Sequence, residues 1–402
     1  MEAPVNNSKI IVPFVPSLLH FSLVKVSFPL FKSFNNATWC VIMEEIKHSS
    51  PAEFNEARSE NPKVNKAKEK LLCIPSHLRL EVLETIMGLH SAVAHWRMSH
   101  PLLHTSDDFP ELLFFKTDGT VDRIKTVQQL VLNEDINIEQ RFDLACSYFL
   151  GNTINTLWAE MKKSGKAAKS LTAYNPVSRF WVRRMRHKYR VPWIYAVQLH
   201  LDLPDDEFLS SPTPRFSAFF PFLLPKDRVK FLISLMKTTP DDYLLCLYGA
   251  TKEEELQILK MDTPKLLCIY LDWPLQSFFL EIVEKLWNFI DSSLFKALLE
   301  IMYSYSMIRK DFDYGKLYMD FWERSPNNLK EEANACPIFC NKLKLYCDSI
   351  KKKRKGDFDK VTGSKRKRYE LPPDLEHAIN VPADSFFANM FVYLFDSDEP
   401  AI

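Results

Sequence analysis

Arg179, Arg183, Arg186 and Arg190 recur at steps of four, three and four, the spacing that lines side chains along one face of a helix. Such a guanidinium stripe does one kind of chemistry: forked hydrogen bonding to the carboxylates or phosphates of an anionic partner. Lys162, Lys163, Lys166 and Lys169 precede it, and Met161 to Leu201 holds ten Lys or Arg and no Asp or Glu. Three readings follow from this pattern. The arginines are a solvated face while Trp181, Met185 and Tyr189 pack inward; they bind an acidic protein surface, which includes this chain's own acidic helices; or they track nucleic-acid phosphates, a salt-dependent and sequence-independent attraction.

A second cationic stretch lies near the end of the chain. Lys342 to Tyr369 carries twelve basic and three acidic residues, so the two stretches hold +10 and +9, and a chain total of +1 leaves −18 elsewhere. Segregated charge speaks about partners rather than fold. Lys351, Lys352, Lys353, Arg354 and Lys355, followed by Lys365, Arg366, Lys367 and Arg368, form a candidate nuclear-localisation signal, because import receptors bind extended, exposed Lys/Arg runs. Gly356, Gly363 and Ser364 lie within it. The bland counterpart is a solvated basic loop.

Other chemistry finds weaker support. His90, His95, His100 and His104, and separately Cys336, Cys340 and Cys347, lack the paired spacing of a closed tetrahedral zinc site and read as structural residues. Asp107-Asp108, Asp205-Asp206 and Asp241-Asp242 fall at helix starts or in loops, where capping and the helix dipole account for them. There is no G-x-S-x-G elbow, no G-x-G-x-x-G fingerprint and no phosphate loop, so no catalytic residue, cofactor or metal is expected.

Elements must position the stripe, and composition selects helices for the task. Eight glycines in 402 residues is far below the usual level of about 7 %, which disfavours strand-rich and nucleotide-binding βαβ folds. Eight scattered cysteines point to a reducing compartment, and so to an intracellular location, with the nucleus favoured over the cytoplasm by the basic tail. Ile10 to Val24 is apolar, yet Pro13 and Pro16 and the absence of a charged leader make it neither signal peptide nor membrane span. Met43, followed by two glutamates, reads as an alternative start, with residues 1–42 an extension.

Ser76 opens a helix whose Leu80, Leu83, Ile86, Leu89, Val93 and Trp96 form one buried stripe. Asn137 caps a helix with Gln140 completing a capping box, and Gly151 would close it in the left-handed conformation. Its Phe142, Ala145, Cys146 and Phe149 then face Ile154, Leu157, Trp158 and Met161 of a helix from Thr153 to Ser164 that ends at Gly165. The basic helix is framed by Asn175, by Pro176 at its first position, and by Val191-Pro192 as its stop. Downstream, Thr239-Pro240, Thr263-Pro264 and Ser325-Pro326 each introduce a helix. Lys70-Leu71-Leu72-Cys73-Ile74 recurs as Lys265-Leu266-Leu267-Cys268-Ile269, an echo without fixed period.

The expected fold is therefore all-α: stacked antiparallel helical hairpins, extending to a degenerate α-solenoid in two blocks. The divisions are 1–66, poorly ordered with an apolar stretch; 67–201, a first block ending in the basic helix; 202–225, a Pro-rich connection; 226–350, a second block; and 351–402, a basic loop and tail. Leu271-Asp272-Trp273-Pro274-Leu275-Gln276-Ser277, Lys310-Asp311-Phe312-Asp313-Tyr314 and Phe321-Trp322-Glu323-Arg324-Ser325-Pro326 resemble a set of arthropod helical proteins found in arachnid genomes. That resemblance spans residues 70–350 and implies helical architecture without an activity or a functional residue to carry over. Armadillo and HEAT arrays are similar in texture only. The function expected is a non-catalytic protein-interaction scaffold with an unidentified, acidic partner; the alternative is a nuclear, nucleic-acid-associated protein using both basic stretches.

Overall fold

Helices here begin where a small polar side chain can accept from N–H groups that have no carbonyl behind them. The computed structural model describes residues 9–100, 112–166, 176–188, 190–195, 215–224, 228, 238–337, 339, 341, 343–346 and 348–349. In chain order its helices are α1 (Leu18–Ser33), α2 (Asn36–His48), α3 (Pro51–Glu56), α4 (Pro62–Leu72), α5 (Arg79–Met98), α6 (Arg123–Leu130), α7 (Ile138–Ser147) and α8 (Gly151–Lys163). There follow α9 (Pro176–Arg186), α10 (Pro240–Gly249), α11 (Lys252–Tyr270), α12 (Phe279–Leu286), α13 (Ser292–Ile308), α14 (Tyr314–Arg324) and α15 (Asn327–Ala335). Among the described residues the extended backbone pairs in one isolated bridge, Phe115 with Val121. The all-helical class stands.

Within the segment 1–66 expected to be poorly ordered, Ser50 and Glu53 form a reciprocal capping box around Pro51, and Asn61 caps α4 at Pro62. The short helices so fixed bury Phe54, Val64 and Ala67. Lys68, 2 % exposed, is neutralised by Glu45 at 2.5 Å and by the Ala57 carbonyl at 2.8 Å, over the Phe54 ring. Trp39, Ile42 and Met43 of α2 are buried without remainder, so Met43 lies inside a packed helix.

Two corrections concern helix ends. The chain reverses after α7 at Phe149 (φ 57°), where Leu150 N–H reaches back to Ala145 O and Phe149 N–H to Cys146 O. This is a Schellman closure with Phe where Gly is usual. The Phe149 ring is held by Trp181, Trp193 and Phe219, and Gly151 instead opens α8. Asn137 does cap α7, accepting from Glu139 N–H, and Phe142 stacks on Trp158 of α8 as the apolar pattern required. Gly165 takes φ 72°, consistent with a helix stop.

By contacts the chain forms two compact units. One gathers Met1–Val15, Trp96–Lys116 and Val121–Ile269; the other gathers Pro16–His95, Thr117–Thr120 and Tyr270–Ile402. They are interleaved along the sequence rather than consecutive. In the first unit, Phe142, Ile154, Met161, Phe180, Phe219 and Leu259 are fully buried. Part of the Pro-rich stretch belongs to this core: Asp242 accepts from Phe216 N–H (2.6 Å) and Ser217 N–H (3.1 Å), seating the buried Phe216, Phe219 and Phe220.

In the second unit, N-terminal and C-terminal helices share one core. Leu83, Ile86 and Leu89 of α5 are buried, as are Phe279, Leu298, Tyr318 and Phe321, whereas Leu80 is 38 % exposed. Trp273 fills the space left by two absent side chains, since a Cβ on Gly88 or on Gly119 would come within 2.3 Å of its indole. Gly119 also has φ 83°, as the expected Asp118-Gly119 turn needs.

Candidate functional site

Helix α9 faces two ways. Val177, Phe180, Trp181 and Val182 are buried, and Trp181 Nε1 donates to the Cys146 carbonyl at 3.1 Å, which fixes the rotation of the helix. Arg183 and Arg186 are thereby exposed, while Arg179 is half-buried. The helix stops earlier than its sequence frame suggested. Lys188 adopts φ 52° and turns the chain after Arg186, so Arg190 lies beyond the helix instead of on it. Asn175 and Tyr189 lie outside the described residues.

That turn gathers charge. Arg183, Arg186, His187, Lys188 and Arg190 line an open depression of about 770 Å³ together with Pro192, Ile194 and Tyr195. Arg183 donates to the Tyr195 hydroxyl and lies over its ring. Three of the four expected arginines are therefore brought together, and Arg179 is not among the lining residues. His187 and Lys188 join them, although the four-three-four spacing did not select either. Arg184 plays a different part, lying 4.2 Å over Trp193 and donating to the Val191 carbonyl. It holds the returning strand against the helix.

Among the described residues no acidic residue lines the depression. Elsewhere in this unit several arginines are matched: Arg123 with Asp241 at 2.9 Å, Arg141 with Glu160 at 3.6 Å, Arg228 with Glu254 at 3.5 Å. Among the described residues no carboxylate pairs with Arg179, Arg183, Arg186 or Arg190. Part of the positive charge is explained by the C-terminal end of the helix dipole. Four cationic side chains around one opening exceed that need, and they create a locally positive potential that carboxylate or phosphate oxygens would neutralise.

The other residues picked out by sequence divide differently. Lys351, Lys352, Lys353, Arg354, Lys355, Lys365, Arg366, Lys367 and Arg368 lie outside the described residues, as do His104, Cys340, Cys347, Asp107-Asp108 and Asp205-Asp206. Among the described residues no group of three His, Cys, Asp or Glu is placed to hold a metal ion. His90 packs against Phe31, and burial pulls its pKa down to about 4. Asp242, the clamp on Phe216 and Ser217, is pushed up to about 6 by burial.

His100 ends a buried hydrogen-bonded chain. Its Nδ1 faces the Trp96 carbonyl at 2.8 Å, which requires a proton on Nδ1 and leaves Nε2 to accept from Tyr148 at 2.9 Å. Arg123 donates in turn to Tyr148 and to Asp241. Burial, with the Arg123 charge, lowers the His100 pKa to about 3, so the ring is neutral.

The sequence motifs without an assigned role converge in the second unit on Arg309, which was not singled out. Arg309 binds Asp272 at 2.6 Å and Asp311 in a two-point contact at 2.9 and 3.2 Å, and Gln276 donates to Asp311 at 3.0 Å. Tyr314 donates to the Leu271 carbonyl at 2.9 Å and lies beneath the guanidinium with Tyr305. A buried ion group so fully bonded fixes one arrangement of its segments, and removing a single member leaves a charge unmet. Its chemistry is positional. The nearest sequence signal was the position of Arg309 directly before Lys310-Asp311.

Comparison of the chain with family models, with curated proteins and with solved structures finds no match in any of the three.

Proposed function

We propose that this chain is a non-catalytic helical interaction protein whose docking surface is the cationic depression at the end of α9, and whose partner is a protein segment rich in carboxylates. One observation carries the reading: Arg183, Arg186 and Arg190 open onto a depression that no described acidic residue lines, and no described carboxylate pairs with them. Neutralisation by the chain's own carboxylates was one competing account of the basic stretch, and the ion pairs among the described residues of this unit do not supply it.

The test compares the full chain with a variant carrying Arg183→Glu, Arg186→Glu and Arg190→Glu, binding to a polyglutamate peptide and to duplex DNA across a salt series. The peptide is expected to bind the wild type, and the triple variant to lose roughly a hundredfold, at about 1 kcal/mol for each exposed charge contact. Phosphate binding is the second reading, supported by the further cation Lys188 and the His187 ring nitrogens at the same opening. It predicts that DNA competes the peptide away, with a log K slope near −0.9 for each phosphate contacted. Equal binding of wild type and variant to both probes removes the site from either role.

A further inference from the structure

Helix α1 carries apolar residues beyond its inward face, which in water leaves part of its surface in need of cover. Val24, Ser27, Leu30 and Phe31 point inward, with Ser27 Oγ donating to the Val82 carbonyl at 3.2 Å. The opposite arc stays open. Leu18 is 85 % exposed, Leu19 54 % and Val26 46 %, and Pro29 between them is exposed as well. At 3.6 residues per turn these four share one face with Ser22 and Ser33, and Lys25 and Lys32 run along its edge.

The charged side chains of α1 itself, Lys25 and Lys32, have one sign. Residues 3–43 contain no Asp or Glu. From α4, Lys70 reaches the end of α1, donating to Ser33 Oγ at 3.2 Å above the Phe34 ring. Nearby carboxylates are engaged elsewhere in the unit, Glu45 with Lys68, Glu44 with Lys310 and Glu69 with Arg58. Among the described residues Lys25 and Lys32 have no acidic partner.

We infer that α1 docks this protein on an anionic lipid surface, its exposed apolar arc entering the boundary between headgroups and acyl chains while Lys25, Lys32 and Lys70 meet lipid phosphates. An apolar strip edged by lysines is the composition that lies in a membrane interface. The long lysine side chains let their ammonium groups stay at headgroup level above the buried strip. Spanning is excluded for this helix by its 16 residues, against about 20 for a bilayer, and among the described residues no helix is long and apolar enough to cross a membrane.

The experiment is co-sedimentation of the full chain with vesicles of neutral phospholipid alone or with about 30 mol % anionic phospholipid. Wild type is expected in the pellet with anionic vesicles only. Leu18→Asp with Val26→Asp, and separately Lys25→Glu with Lys32→Glu, should each lower the bound fraction roughly tenfold. Since all four side chains are exposed, the thermal midpoint should hold, which separates lost docking from lost folding. The α9 triple variant should sediment like wild type, so this inference and the proposed function fail independently. Absence of wild-type binding, equal binding to neutral vesicles, or indifference to the α1 substitutions overturns it. So does a concentration-dependent dimer abolished by Leu18→Asp and Val26→Asp, which would give the face to a second copy of the chain.

Discussion

His100 shows how a residue with chemical potential becomes a structural one. Its neutral, Nδ1-protonated form is required by the Trp96 carbonyl on one side and the Tyr148 hydroxyl on the other, with Arg123 and Asp241 behind. The folded pKa of about 3 lies below the unfolded value near 6.5, so between them the unfolded state holds the extra proton. Stability owed to the neutral ring is complete above about pH 6.5 and is lost as pH falls toward 3. Urea unfolding of wild type and His100→Gln from pH 7 to pH 4 should show the wild-type advantage shrinking, with a slope approaching about 1.4 kcal/mol per pH unit. A difference independent of pH would contradict the buried neutral imidazole. Nothing in the local sequence marked His100 from His90 or His95; its partners come from positions 96, 123, 148 and 241, which no spacing rule connects.

At the level of elements, α5 illustrates a conflict that propensity cannot resolve. Gly88 sits inside this helix, where Ala would ordinarily gain about 1 kcal/mol. Trp273 occupies the space a Cβ would need, at 2.3 Å, so Gly88→Ala should instead destabilise by about 2 kcal/mol, as overpacked cores do. In a Trp273→Ala background the same substitution should become neutral or stabilising, a reversal readable by thermal unfolding of the four variants. Helix positions were legible because capping and apolar period are local: Thr239-Pro240, Asn137 and Pro176 stand where helices start. Helix ends were less so. Phe149 and Lys188 take left-handed conformations that are costly for non-glycine residues, so residue type marks neither stop, and the one at Phe149 is held by the rings of Trp181, Trp193 and Phe219. For the site, the arginine spacing was readable but the grouping was not, because the Lys188 turn, rather than helical period, brings Arg190 beside Arg183 and Arg186.

Over the whole molecule, sequence order and spatial order part company. Composition shifts suggested a division at the Pro-rich stretch, yet Phe216 to Phe222 there carries core residues of the first unit. The second unit depends on segments from both ends of the chain. Arg309 reaches Ser91, Lys310 pairs with Glu44, and Trp273 rests on Gly88. A fragment of residues 226–350 is therefore expected to unfold without a cooperative transition by circular dichroism, while the full chain melts cooperatively. A sharp melt of that fragment would contradict the interleaving. The same arrangement has a consequence in time. The ribosome makes α5 well before Trp273 and Arg309, which rest on its Gly88 and Ser91, since roughly 170 residues lie between His95 and Tyr270. At about 5–20 residues per second α5 waits on the order of 9–35 s without them, so the yield of the chain in a cell should depend on chaperones that act on chains still attached to the ribosome.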